Sequence, residues 1–114
     1  MPMAAPKSNE FDPRLQTLAR LAKALSHPAR IAILETLAER ASCVCGEIVE
    51  VLPLAQSTVS QHLKELQEAE LISGEVSGLK SRYCLNREAV QELEQLLGEL
   101  FKNLSKSLKT NKCC

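Results

Sequence analysis

Aromatic side chains are scarce in this sequence: phenylalanine, tyrosine and tryptophan make up 3% of its 114 residues, and tryptophan is absent. A core with so few aromatic rings has to be built from leucine, isoleucine, valine and alanine, as helical bundles usually are. Hydrophobic residues make up 45% of the chain, and its length suffices for one compact core but not for two. We therefore expect a single, mainly α-helical domain.

A net charge and long hydrophobic runs are also missing. Fourteen basic residues balance fourteen acidic ones, which counts against a nucleic-acid partner because such proteins tend to be basic. The balance conceals separate patches, since several lysines lie near the end and no acidic residue follows Glu99. Neither end carries an apolar stretch typical of a signal peptide or a membrane helix. We expect a cytoplasmic protein without a membrane partner.

The five cysteines of the chain require an explanation. An odd number of cysteines without an export signal favours reduced thiols over a disulfide framework. The sequence contains no glycine-rich phosphate loop, zinc-protease motif or nucleophile elbow. We therefore expect thiol-based metal binding or redox chemistry rather than enzymatic catalysis.

Two helices are predicted in the first part of the chain. Asp12 followed by Pro13 is typical of an N-cap and a first helical position, and hydrophobic residues recur behind them at helical spacing. Pro28 is expected to begin a second helix that ends near Arg40. Residues 1–11 are predicted to form a flexible N-terminal arm.

Two short helices joined by a tight turn are predicted next, which indicates a helix-turn-helix. Ser42 is the expected N-cap of the third helix, and Pro53 is expected to end it. The core-facing residues of this helix are predicted to be Ile48, Val51 and Leu52. The buried face of the fourth helix is predicted to consist of Val59, Leu63 and Leu66.

A β-hairpin is indicated after Leu71, where the hydrophobic period changes to two. Its strands are predicted at residues 72–76 and 81–85, with Ser77 and Gly78 as turn residues. Such a hairpin can act as a wing beside a helix-turn-helix that binds DNA.

A long amphipathic helix is predicted to complete the domain after an N-cap at Asn86. Its hydrophobic stripe from Val90 to Leu104 is too apolar for a solvated helix. We expect it to pair with its counterpart and with the first helix across a two-fold axis, which would make the protein a homodimer. The winged helix-turn-helix domain is predicted over residues 12–108, before a flexible, cysteine-containing tail at residues 109–114.

The exposed face of the fourth helix predicts contact with double-stranded DNA. At about 100° per residue, its buried stripe leaves short polar side chains on the opposite side. Hydroxyl and amide groups suit base edges in the major groove, whereas Lys64 suits a phosphate. The predicted contacts of helix and wing are Ser57, Thr58, Ser60, Gln61, Lys64, Lys80 and Arg82. His62 is expected to be packed rather than to contact a base, and a merely solvated helix face is the alternative.

Three stretches of the chain resemble the ArsR/SmtB family of metal-sensing winged-helix repressors: LSHPARIAILETLAE, SCVCGEI and QSTVSQHLKELQEAELI. The similarity runs from about Leu21 to Leu85. The resemblance implies an α-rich winged helix, a dimer held by the first and last helices, and operator binding that ends when an inducer binds. It assigns DNA contacts to Gln56, Ser57, Ser60 and Gln61.

One departure from the family is Glu70, where a glycine usually follows the recognition helix in a left-handed conformation. A residue with a side chain costs on the order of 1 kcal/mol in that conformation. We therefore expect a rearranged helix end at this position.

The CVC motif at Cys43 and Cys45 resembles the thiolate site of family members that sense arsenite, antimonite, cadmium or lead. Both thiols are predicted at the start of the third helix, where a helix N-terminus favours the thiolate that binds soft metals. Helix residues two apart point about 200° from each other, so binding one ion requires the first turn to unwind. The predicted inducer is As(III) or Sb(III), with Cd(II) or Pb(II) as alternatives and no organic cofactor.

Arsenic-sensing relatives usually have a third cysteine shortly after the pair, which this chain lacks. Cys113 and Cys114 on the tail are the favoured additional donors, whereas Cys84 is expected to be a small buried residue. Zinc-sensing relatives use ligands on the final helix, but His27 and His62 lie far upstream. Two other functions stay open: a cysteine redox-sensing repressor, and an interaction module that docks through its last helix.

Overall fold

The computed structural model describes residues 10–40, 43–77 and 80–110. Within these ranges the chain forms five helices and three strands. They are α1 (Pro13–Ala24), α2 (Pro28–Arg40), β1 (Cys43–Val44), α3 (Cys45–Val51), α4 (Gln56–Glu68), β2 (Ile72–Ser77), β3 (Lys80–Leu85) and α5 (Arg87–Thr110). The mainly helical fold with a β-hairpin wing is confirmed. Most of the predicted arm, and the tail cysteines Cys113 and Cys114, lie outside the described residues, and the domain limits stay a prediction.

The first two helices begin where the sequence predicts. The carboxylate of Asp12 accepts a hydrogen bond from the backbone N–H of Arg14 at 2.8 Å, and Pro13 occupies the first helical position. Helix α2 begins at Pro28, after a histidine whose Nδ1 accepts the N–H of Ala29 at 3.0 Å. The predicted cap at Asp12, the predicted start of α2 at Pro28 and its predicted end near Arg40 are therefore confirmed.

The hydrophobic core combines residues from every described helix and from the sheet. The predicted buried face of α4 is confirmed, because none of its three apolar side chains has exposed surface. The other large side chains without exposed surface are Leu21, Ile33, Leu37, Ile48 and Leu71. The expectation for Val51 is wrong: its side chain is 46% exposed, since α3 ends there and the backbone of Leu52 is extended.

Helix α3 begins later than the sequence predicts. Its N-cap is Val44, whose backbone is extended, and the predicted cap Ser42 lies outside the described residues. Cys43 and Val44 instead form β1, which pairs in antiparallel fashion with β3. The expected helix start at Ser42 is therefore wrong, because hydrogen bonding to a strand far along the chain holds these residues extended.

The hairpin of β2 and β3 forms as predicted, in a sheet with the strand order β1-β3-β2. Its register runs from Ile72 opposite Leu85 to Ser77 opposite Lys80. Ser77 is thus the last residue of β2 and not a turn residue. The ladder continues to the pair of Ser77 and Lys80, and residues 78–79 lie outside the described ranges.

The turn after α4 keeps the left-handed conformation although it lacks glycine. Among the described residues, Glu70 is the one non-glycine with a positive φ, at 65°. The N–H of Leu71 donates to the carbonyl of Leu66 at 3.1 Å. The N–H of Glu70 donates to the carbonyl of Gln67 at 2.9 Å. This is a Schellman motif. The expected rearrangement of the helix end is therefore wrong, because the usual backbone bonds hold the glutamate in the strained conformation.

A histidine on α4 connects this helix to α2. The His62 side chain is buried, and its Nδ1 accepts a hydrogen bond from Nε of Arg30 at 3.2 Å. Its ring lies 4.4 Å from the ring of His27, centroid to centroid. Burial lowers the pKa of His62. The neighbouring His27 and Arg30 lower this pKa further, whereas Glu65 opposes the shift. The predicted packed role of His62 is confirmed.

We expect Glu70→Gly to increase the free energy of unfolding by about 1 kcal/mol, because glycine adopts the left-handed conformation without strain. Urea denaturation monitored by circular dichroism measures the change. The control is Glu68→Gly in the last turn of the same helix, which should destabilise the protein by roughly 1 kcal/mol. A loss of stability in both variants would contradict the assigned strain.

We expect the free energy of unfolding to decrease as the pH falls below about 6.5, the ordinary histidine pKa. The unfolded chain then binds a proton at His62 that the folded chain, with its lowered pKa, does not bind. Urea denaturation between pH 7.5 and pH 5.5 measures this slope. His62→Gln keeps an acceptor for Arg30 but does not titrate, so its slope should be smaller. An equal slope in both proteins would refute the contribution of His62.

Candidate DNA-binding face and thiol site

Six exposed side chains on α4 form what we call the reading face: Gln56, Ser57, Thr58, Ser60, Gln61 and Lys64. Ser57, Gln61 and Lys64 lie opposite the buried apolar stripe, as the helical spacing predicts, with Thr58 and Ser60 on the flanks. Gln56 is the first residue of the helix. The face begins at the N-terminus of the helix, where the N-cap residue Ala55 provides no side-chain hydrogen bond. The first backbone N–H groups of α4 are therefore available to an external acceptor as well.

In the part of the wing that the structure describes, one basic side chain is seen at the surface, that of Arg82. Arg82 on β3 is exposed and lies opposite Val44 on one side and Glu75 on the other. The register thus puts a carboxylate next to the predicted phosphate contact, which offsets part of its charge. Lys80 is the first residue of β3.

Cys43 does not have the environment that the sequence predicts. Its side chain is 2% exposed and belongs to the core, and its backbone lies in β1. Burial raises the pKa of Cys43, Arg40 opposes this rise, and Glu47 and Cys84 add to it. The expected ease of ionisation is therefore wrong for this thiol, because the residue precedes the helix and loses hydration.

Cys45 is the first residue of α3, and it contacts the reading face. Its side chain is half-buried, and its Sγ lies 3.7 Å from Oγ of Ser60. No local pattern in the sequence predicts this pair, because it depends on how α3 packs against α4. Cys84 is exposed on β3, so the expectation of a buried residue is wrong at that position.

The donor set of the CVC motif is chemically suited to a soft metal or metalloid, since such ions prefer thiolates. Within the described ranges, however, no three histidine, cysteine, aspartate or glutamate side chains are grouped closely enough to hold a metal ion. A three-coordinate site would therefore need a further donor. Cys113 and Cys114, the predicted additional donors, lie outside the described residues.

Helices α1 and α5 contact each other, and both carry large apolar side chains that are exposed to solvent. We call these side chains the α1–α5 face: Phe11 just before α1, Leu15 on α1, and Phe101, Leu104 and Leu108 on α5. Helix α5 follows Asn86, whose Oδ1 accepts the N–H of Ala89 at 3.4 Å as the predicted N-cap. None of the described helices combines the length and apolarity needed to cross a membrane.

Known proteins similar to this chain are DNA-binding regulators. A family model for a helix-turn-helix domain matches residues 25–75. The arsenical resistance operon repressor of Staphylococcus xylosus is 35% identical over 80 residues, which cover 70% of this chain and 76% of that protein. The HTH-type transcriptional repressor SmtB of Mycobacterium tuberculosis is 44% identical over 71 residues, which cover 62% of this chain and 52% of SmtB.

Structural similarity gives the same result. The crystal structure of the transcriptional repressor PagR of Bacillus anthracis matches with a TM-score of 0.61 and 32% identity, covering 73% of this chain and 94% of PagR. The helix-turn-helix match includes the whole of α4 and therefore the reading face. The chain is a transcriptional regulator and not an enzyme. By sequence and by fold, it belongs to the ArsR/SmtB family of winged helix-turn-helix transcriptional repressors.

Proposed function

We propose that this protein binds double-stranded operator DNA as a homodimer and is released when Cys43 and Cys45 bind a thiol-seeking metalloid, As(III) or Sb(III). The observation that carries the proposal is the contact between Cys45 and Ser60, which joins the thiol motif to the reading face. The name of the Staphylococcus xylosus relative supports the choice of inducer. Cd(II) and Pb(II) are the alternative inducers, because they also prefer thiolates.

The reading face would enter the major groove. Side chains of Ser57 and Gln61 can donate to and accept from base edges, and both are exposed. Lys64 and the free N–H groups at the start of α4 suit phosphates on either side of the groove. Arg82 on the wing would bind the backbone of the neighbouring segment. Base contacts would supply the specificity, and phosphate contacts most of the salt-dependent affinity.

The α1–α5 face supports the proposed homodimer. Large apolar side chains seldom cluster on the surface of a protein that remains monomeric. Pairing of this face with its copy would relate the two reading faces by a two-fold axis. Such a dimer would bind two half-sites about one helical turn, or roughly 34 Å, apart.

Release of the operator DNA would follow because the two thiols have to move before they can bind one inducer. Each thiol loses its proton when it becomes a ligand. Cys43 would have to leave the core and weaken the pairing of β1 with β3, and Cys45 would have to give up its contact with Ser60. Both changes act on the segment that leads into α4. A coupling free energy of about 1–3 kcal/mol is typical of such linkage, and operator DNA would weaken inducer binding by the same amount.

The third donor is proposed to come from Cys113 or Cys114. As(III) and Sb(III) would otherwise have only two protein sulfurs in this site. Titration of the operator complex with arsenite, antimonite, Cd(II), Pb(II) and Zn(II) identifies the inducer.

We expect Ser57→Ala and Gln61→Ala each to weaken binding of the specific operator by about 1–3 kcal/mol, because each removes a base contact. Arg82→Ala should instead weaken specific and random DNA alike and reduce the salt dependence. Fluorescence anisotropy at several salt concentrations measures both effects. Gln91→Ala on α5 is the matched control. Unchanged affinity in both reading-face variants would reject this face.

We expect Cys43→Ser and Cys45→Ser to keep operator binding but to lose release by As(III) or Sb(III). Since Cys43 is buried, Cys43→Ala should be tested as well, because it avoids burying a hydroxyl group. Cys84→Ser is the control and should respond like the wild type. If the CVC variants still release DNA at the wild-type inducer concentration, the site is wrong and Cys113 with Cys114 becomes the leading candidate.

A further inference from the structure

Three consecutive backbone carbonyls after α4 are each held by a residue outside the helix-turn-helix. The carbonyl of Ala69 accepts a hydrogen bond from Nη1 of Arg20 on α1 at 2.7 Å. The carbonyl of Glu70 accepts from Nδ2 of Asn86 at 2.9 Å, and that of Leu71 accepts from the backbone N–H of Asn86 at 2.9 Å. We call Arg20, Asn86 and these three carbonyls the exit clamp.

Asn86 connects the turn after α4 to α5 with the two ends of one amide group. Its Nδ2 binds the turn after α4, while its Oδ1 accepts the N–H of Ala89 in the first turn of α5. Its backbone carbonyl also accepts the N–H of Val90 at 3.0 Å. A change in the angle between α4 and α5 would therefore break one of these bonds.

Arg20 connects the same turn to α1. Its guanidinium lies at the C-terminal end of α4, where a positive charge is favoured by the helix dipole. A hydrogen bond from a charged donor is about twice as strong as one between neutral groups. The turn that receives these bonds is itself constrained, because Glu70 is held at a φ of 65°. The end of the recognition helix is thus fixed to α1 and α5 together.

We propose that Arg20 and Asn86 are positioning residues for operator binding. The two helices that they connect to α4 carry the α1–α5 face, and this step rests on the proposed dimer. The clamp would transmit the arrangement of the subunits to the tilt of α4 and so set the separation of the two reading faces. A dimer with an intact clamp then requires one half-site spacing, and a dimer with a loosened clamp accepts others.

Two substitutions loosen the clamp without removing the helix cap. Asn86→Asp and Asn86→Ser both keep an oxygen that can cap α5 but lose the Nδ2 donor to Glu70, and the serine variant adds no charge. Arg20→Met keeps a long apolar side chain but loses the donor to Ala69. Lys23→Met on the same helix is the matched control, because it removes one positive charge outside the clamp.

The test uses an operator selected by the full-length wild-type protein from a library of random DNA duplexes. Versions with the half-site spacing changed by one base pair in each direction, and one random duplex, complete the set of probes. Anisotropy measures the affinities, and sedimentation measures the oligomeric state. We expect the clamp variants to bind the selected operator about three- to tenfold more weakly, the loss typical of one hydrogen bond. We also expect them to lose less affinity than the wild type when the spacing changes.

The outcomes separate this inference from the proposed function. Clamp variants that discriminate between spacings as sharply as the wild type and Lys23→Met would overturn the positioning role, while operator binding by a dimer stands. A merely structural role would lower the stability without changing the ratio of affinities between spacings. A wild-type protein that selects no operator, or that sediments as a monomer, would overturn the proposed function and this inference together.

Discussion

Burial of one apolar stripe on α4 is the constraint on which the rest of the structure depends. Val59, Leu63 and Leu66 have no exposed surface, and exposing any of them would cost about 1.5–3 kcal/mol. The helix therefore cannot rotate about its axis while the core stays intact. Its opposite side, with the hydroxyl and amide groups of the reading face, is held toward solvent as a result. The leucine core thus determines which side chains face a DNA partner.

The two ends of α4 are held by different neighbours, so the position of each end depends on different contacts. At its beginning, α3 packs against it and Cys45 contacts Ser60. At its end, a left-handed turn leads into β2, and bonds from Arg20 and Asn86 hold that turn. In the proposed repressor, the inducer acts at the first end and the second subunit acts at the other. In that proposal, each would change the tilt of the helix while its buried stripe stays in the core.

The CVC motif contains two different thiols, because two physical effects compete along it. A helix N-terminus stabilises a thiolate, whereas loss of hydration destabilises it. At Cys43 burial dominates and raises the pKa, since this residue lies on a strand within the core. Cys45 lies two residues further along the chain, at the start of α3, and is half-buried. In the proposed function, a ligand that binds both thiols would meet Cys45 at the surface, whereas Cys43 would first have to leave the core.

Features that depend on near neighbours in the chain could be predicted from the sequence alone. The cap at Asp12, the apolar stripe and reading face of α4, and the hairpin after Leu71 all follow from spacing and residue type. The tertiary structure decided what depends on distant neighbours. Strand β1 exists because β3 hydrogen-bonds to it, and that pairing buries Cys43 and reverses the expected shift of its pKa. The contact of Cys45 with Ser60 and the bonds of Arg20 and Asn86 likewise join separate helices, whose packing no local pattern encodes.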